Sequence, residues 1–127
     1  MADDSTRTNI PSGAPWESVV GYSRAVRMGR FIAVSGSTAV SGSGDAYSQA
    51  KQCIEVIRRA LDEAGASLTD VVRTRMYVTD IEQWAEVARA HREAFGDVMP
   101  ATSMVEVARL IDPKMLVEIE ADAIVAG

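Results

Sequence analysis

Leu116-Val117-Glu118-Ile119-Glu120-Ala121-Asp122-Ala123-Ile124-Val125 alternates with a period of two. Val117, Ile119, Ala121, Ala123 and Val125 share one face, and Leu116, Glu118, Glu120, Asp122 and Ile124 share the other. The pattern is that of a strand, expected over Met115–Val125, with one apolar face and a ladder of carboxylates opposite. Upstream, Pro100-Ala101-Thr102-Ser103-Met104-Val105-Glu106-Val107 leads into another strand, expected over Ser103–Ala108. Val71–Thr79 alternates too. Val72, Thr74, Met76 and Val78 point one way, and Arg73, Arg75 and Tyr77 the other.

Between these strands the period changes. Ala50, Cys53, Ile54, Ile57, Leu61 and Ala64 recur at three and four, which predicts a helix over Ala46–Ala64 that stops at Gly65. A second helix follows Asp80, a natural cap, with Gln83 at the reciprocal capping-box position. Its expected buried stripe is Ile81, Trp84, Ala88, His91 and Phe95, and Gly96 ends it. Nearer the N-terminus, Tyr22–Met28 and Phe31–Ser35 read as a hairpin about Gly29-Arg30. Pro11–Pro15 and Ser41–Asp45 are loop chemistry. Residues 1–10 are expected to be a flexible tail and 11–127 a single domain. The fold class is α/β (α+β), in the order β-β-α-β-α-β-β, with both helices on one face of a mixed sheet. Arg73, Arg75, Tyr77, Glu118 and Glu120 then lie on the uncovered face. A half-covered sheet of this kind calls for a partner, so a homo-oligomer is expected.

Composition narrows the function classes. The 127 residues are 47% hydrophobic and 24% charged, with a formal net charge of −5. That balance suits a globular domain and disfavours a nucleic-acid binder, which needs a basic face. No apolar run approaches the ~18 residues that would span a membrane, and Met1–Thr8 has no apolar segment of a signal peptide. The single cysteine, Cys53, rules out an intrachain disulfide and a thiolate cluster. A cytoplasmic location is expected.

Few residues carry recognisable chemistry. Glu118 and Glu120 sit two apart on one face of a strand. A carboxylate in a partly apolar cleft has its pKa raised and can work as a general acid or base near neutrality. The alternative is that both pair with arginines at an interface. His91 is the only histidine, and on a helix stripe it reads first as a core or interface residue. With one histidine and one cysteine, no metal site is expected. Ser35-Gly36-Ser37-Thr38 ends a strand and could offer backbone N–H groups to an anion. It lacks the glycine spacing and lysine of a phosphate loop.

Taken in order, Gly21-Tyr22-Ser23-Arg24-Ala25-Val26, Ile32-Ala33-Val34-Ser35-Gly36, Asp70-Val71-Val72-Arg73-Thr74, the Pro100-Ala101-Thr102-Ser103 segment and Val117-Glu118-Ile119-Glu120-Ala121 resemble the RidA/YjgF family, also labelled L-PSP endoribonuclease. The resemblance runs from about Gly21 to Ala123. It implies a chorismate-mutase-like fold and a homotrimer with a ligand cleft at each subunit interface. Active members hydrolyse enamines and imines to keto acids and ammonia, with no metal or organic cofactor. Their glutamate, which handles water, corresponds to Glu118. Their cleft-shaping tyrosine and Ser-Gly turn correspond to Tyr22, Ser35 and Gly36.

The carboxylate-gripping arginine of those members corresponds to Thr102, which has no charge and cannot make a bidentate pair. A helix asparagine is replaced by Ala88, and a cysteine by Met104. The chain therefore resembles a branch without the imine-deaminase arginine. Arg75, on the same open face, is a candidate replacement; its structural alternative is an ion pair with Glu118 or Glu120. Three functions are in contention. The first is a Glu118-assisted hydrolase or deaminase, weak on small 2-imino acids. The second is a non-catalytic binding or interaction trimer for an unknown small molecule. The third, a ribonuclease, rests only on the family's other label.

Overall fold

The computed structural model describes residues 6–39 and 42–127. Ser41 of the expected loop and the first five residues of the expected tail lie outside the described residues. The described chain runs β1 (Arg7–Ile10), α1 (Glu17–Val20), β2 (Ala25–Met28), β3 (Phe31–Ser37), α2 (Ala46–Glu63), β4 (Val71–Val78), α3 (Trp84–Phe95), β5 (Ala101–Glu106) and β6 (Val117–Ile124). The six strands form one sheet in the order β1-β2-β3-β6-β4-β5. Only β4 and β5 are parallel neighbours, joined across α3; the other pairs are antiparallel. Because β3 and β4 both run antiparallel to β6, α2 carries the chain between two strands of like direction that are separated by a third.

The alternation of β6 is realised as read. Val117, Ile119, Ala121 and Ala123 are buried, and Ile124 is exposed on the other face. Above the buried face lie α2, through Ala50, Cys53, Ile54, Ile57 and Leu61, and α3, through Val87, Ala90 and Phe95. Asp45 caps α2, its Oδ1 accepting from the Ser48 N–H at 2.9 Å. The Gln49 side chain is fully satisfied at the same end. Its Nε2 donates to the carbonyls of Gly44 (3.3 Å) and Lys114 (3.0 Å), and its Oε1 accepts from the Leu116 N–H (2.8 Å). This one buried amide ties the start of α2 to the start of β6.

Three local readings are corrected. Arg7–Ile10 is a strand, not tail: it pairs with β2 and buries only Ile10, so its other residues look polar and unattached in sequence. Val72 is exposed, because the β4–β6 register shifts between Val71 and Arg73. A bulge adds one residue and resets the alternation, so Val71 takes the buried place. In α3 the stripe is Val87, Ala90 and Phe95, with His91 half-buried and Trp84 58% exposed. Ile81–Gln83 is a 3-10 turn, which advances about 120° per residue rather than 100°, so a stripe counted from Ile81 falls out of phase.

Candidate functional site

The register between β3 and β6 shifts between Val34 and Ser37. The resulting irregularity sets Gly36 under the Glu118 side chain. A Cβ at Gly36 would lie 2.8 Å from the Glu118 Cδ and would overlap its Oε2. Glycine is needed here for this close approach, since Gly36 is not at positive φ. Half-burial pushes the Glu118 carboxyl above the usual carboxylate range. The neighbouring charge of Glu120 pushes the same way, and Arg24 opposes.

Arg24 was not singled out in the sequence. Its Nη1 donates to the Gly36 carbonyl (3.0 Å) and to Ser37 Oγ (3.2 Å), and its Cζ lies 5.9 Å from the Tyr22 ring centroid. Ser37 Oγ donates to the Ser35 carbonyl at 3.0 Å, and Ser35 Oγ donates to the Ser23 carbonyl at 2.6 Å. Ser23 Oγ in turn accepts from Asn9 Nδ2 at 2.8 Å. Tyr22, Arg24, Ser35, Gly36 and Glu118 thus form one neighbourhood, braced by β1. The signal for Arg24 in the sequence is its place inside the Gly21–Val26 stretch that carries the family resemblance.

Arg75 is engaged elsewhere. Its Nη1 lies 3.4 Å from Asp122 Oδ2 and 4.0 Å from Glu120 Oε1. The expected alternative partner, Glu118, is not among its ion pairs; across the register Arg75 faces Glu120, and Tyr77 faces Glu118. The Tyr77 hydroxyl donates to Glu120 Oε1 at 2.5 Å, which raises the phenol's pKa. Glu120, Asp122, Arg75 and Tyr77 are therefore mutually satisfied. Among the described residues, Glu118 is the carboxylate of β6 on this face without a direct ion pair.

Thr102 stands apart from this group. It pairs in register with Thr74, whose side chain is buried beneath the helices. Thr102 Oγ1 is 2.8 Å from Thr74 Oγ1, which is 2.8 Å from His91 Nε2. Within one chain, then, the hydroxyl of Thr102 and the carboxylate of Glu118 belong to opposite faces of the sheet. Burial lowers the His91 pKa. Cys53 is buried, its thiol pushed up to about 12, chiefly by burial; a thiol held protonated to that extent is a poor nucleophile. Among the described residues no three His, Cys, Asp or Glu side chains cluster as metal ligands, and no helix is long and apolar enough to cross a membrane.

Residues 13–125 match the family model described as endoribonuclease L-PSP. The chain belongs to the RidA/YjgF family. A crystal structure of a YjgF/YER057c/UK114 family member from Mycobacterium tuberculosis superposes with a TM-score of 0.90 at 55% identity, covering 94% of this chain and all of that one (100%). An uncharacterised protein of Streptomyces coelicolor is 35% identical over 97% of this chain and 95% of its own length. The 2-iminobutanoate/2-iminopropanoate deaminase of Escherichia coli is 33% identical, over 81% of this chain and 86% of its own. The RidA/YjgF fold, with its mixed sheet and helices, is thereby established for this chain.

Proposed function

We propose that this RidA/YjgF chain forms a homotrimer with a small-molecule cleft at each subunit interface, and that Glu118 there hydrolyses an enamine, imine or related substrate without metal or cofactor. The observation that carries the proposal is Glu118 itself: half-buried, without a direct ion pair among the described residues, and seated on Gly36. A carboxylate whose pKa is raised by burial is a stronger base than an exposed one, the property that general-base attack of water calls for. As the water oxygen bonds to the C=N carbon, one water proton passes to Glu118 and from it to the nitrogen, giving the carbinolamine. Glu118 then takes the carbinolamine hydroxyl proton and returns it to the nitrogen as the C–N bond breaks, so the carbonyl compound and ammonia leave and Glu118 is again a carboxylate. An enamine enters the same route after tautomerising to the imine.

Arg24 is the counter-cation of this site and Tyr22 its aromatic wall, while Ser35 and Gly36 shape the turn beneath. Arg75 is engaged by two carboxylates, which favours a structural role for it. Since Thr102 and Glu118 belong to opposite faces of one sheet, a cleft using both draws them from two subunits. Thr102 lacks the charge-assisted bonds that an arginine would give a substrate carboxylate. Each such bond contributes about 1.5–3 kcal/mol, so turnover of small 2-imino acids should be roughly a hundredfold or more below that of arginine-bearing relatives. The same threonine favours a second reading, a trimer that binds a small molecule and turns over little. A reducing cytoplasm suits the single buried thiol of Cys53.

The test is Glu118→Gln. The variant should keep the assembly and abolish hydrolysis of 2-iminopropanoate generated in situ by an amino-acid oxidase. Residual parent activity that survives unchanged in Glu118→Gln would remove Glu118 from the chemistry.

A further inference from the structure

Three contacts run from α3 to the edge of the sheet: His91 Nε2 to Thr74 Oγ1 (2.8 Å), Thr74 Oγ1 to Thr102 Oγ1 (2.8 Å), and Thr102 Oγ1 to the Pro100 carbonyl (3.1 Å). A carbonyl oxygen can only accept, so the proton in the last contact is that of Thr102. Each hydroxyl has one proton to give. Thr74 must therefore donate to Thr102, and His91 must donate to Thr74 through Nε2–H. This is the one assignment that places a proton in every contact. It makes His91 an Nε2–H imidazole with its lone pair on Nδ1. The donor is buried on one side by the Phe95 ring, with centroids 4.7 Å apart.

The direction of that chain has a chemical consequence at its exposed end. Thr102 has spent its proton on Pro100 and one lone pair on Thr74. Thr102 is exposed, so its second lone pair can still accept a hydrogen bond. Resting on the proposed interface cleft, we propose that Thr102 is a specificity residue that accepts a hydrogen bond, so that the ligand group lodged against it is a donor, an amide N–H or a hydroxyl, and not a carboxylate. His91 and Thr74 are positioning residues, since they act only through the Thr102 hydroxyl. An arginine at this place would present donors to an anion; the threonine, held this way, presents the reverse polarity. The ligand class implied is a neutral carbonyl compound bearing an amide or hydroxyl where 2-imino acids bear a carboxylate.

Two measurements on the full chain test this. The first is long-range ¹H–¹⁵N NMR of the only histidine. The Nε2–H tautomer is expected at neutral pH. It should be perturbed in Thr74→Val, which keeps the shape and removes the hydroxyl, and restored in Thr74→Ser. An Nδ1–H tautomer in the parent protein would overturn the proposal whether or not the cleft exists. The second measurement titrates pyruvamide and pyruvate, a neutral and an anionic probe of like shape, against the Thr102 methyl signal. Pyruvamide should bind more tightly by about fivefold, the worth of one neutral hydrogen bond. Thr102→Val should lose that margin and Thr102→Arg should reverse it. Pyruvate binding as tightly as pyruvamide to the parent refutes the polarity of Thr102 alone. Binding of neither probe at millimolar concentration refutes the cleft, and with it the ligand claim, while the tautomer still decides the direction of the chain.

Discussion

Gly36→Ala isolates the position of the Glu118 carboxylate from its chemistry. The added Cβ would lie 2.8 Å from Glu118 Cδ. Carbon atoms in contact settle no closer than about 3.5 Å, so the carboxylate must retreat by about 0.7 Å, and further for Oε2. The obstacle is the end of a flexible side chain, not backbone, and Gly36 is not at positive φ, so the fold can absorb the change. An off-rotamer Glu118 costs about 0.5–1.5 kcal/mol. The reduced freedom of the unfolded chain returns about 0.4–1 kcal/mol. Stability should therefore stay within about 1 kcal/mol of the parent. A displacement approaching 1 Å at a reacting group costs on the order of a hundredfold in rate. Glu118 would also move toward solvent, so its raised pKa should fall back toward 4.5. The assay pairs a ¹³C titration of the Glu118 carboxyl with a thermal melt and turnover of 2-iminopropanoate. An alanine variant that keeps both the raised carboxyl pKa and full turnover would show that the seat on Gly36 is irrelevant to function.

Other outcomes are expected from the same geometry. Gln49→Ala leaves the Leu116 N–H and the Lys114 carbonyl without their buried partner; at about 1–3 kcal/mol for each stranded group, urea denaturation should show a loss of several kcal/mol, and a loss under about 1 kcal/mol would mean that water replaces the amide. His91 has a lowered pKa in the folded chain, so the unfolded chain takes up its proton first as the pH falls. The stability that His91 contributes is complete above its ordinary 6.5 and is lost as the pH drops from there through the lowered folded value. Because Glu118 titrates in the opposite sense, the parent should be compared with His91→Gln on both sides of 6.5; equal pH slopes would deny the effect. Light scattering on a sizing column should give a trimer, and a monomer at micromolar concentration would end the case for interface clefts.

The strands and helices were legible where one face is wholly buried. In β6 and α2 every second, or every third and fourth, residue answers to the same core. Legibility failed where a single residue changes phase. The irregularity at Val71–Arg73 and the 3-10 turn before Trp84 leave no compositional mark, yet each rotates the residues after it. β1 was illegible because an edge strand need bury only Ile10. In the site, Glu118 stood out as a carboxylate in an apolar strand, and Gly36 by its place in the resembled turn. Arg24 did not, because its partners are a backbone carbonyl and a serine from another strand. Nor does spacing along the chain reveal that Thr102 and Glu118 belong to opposite faces. That depends on β5 joining β4 in parallel register, Thr74 beside Thr102.

β5 is the outermost strand on its side of the sheet, and its residues are exposed apart from the half-buried Met104. Glu118, by contrast, stands on β6, between β3 and β4, with core residues on either side of it in sequence. Random substitution therefore meets very different resistance at the two places. A new side chain at Thr102 gives up hydrogen bonds to Thr74 and Pro100 but starts from an exposed edge strand, whereas a change of backbone at Glu118 disturbs the whole sheet. A scaffold arranged this way can exchange the group proposed to select a ligand while retaining the group proposed to act on it, and the two would then vary independently.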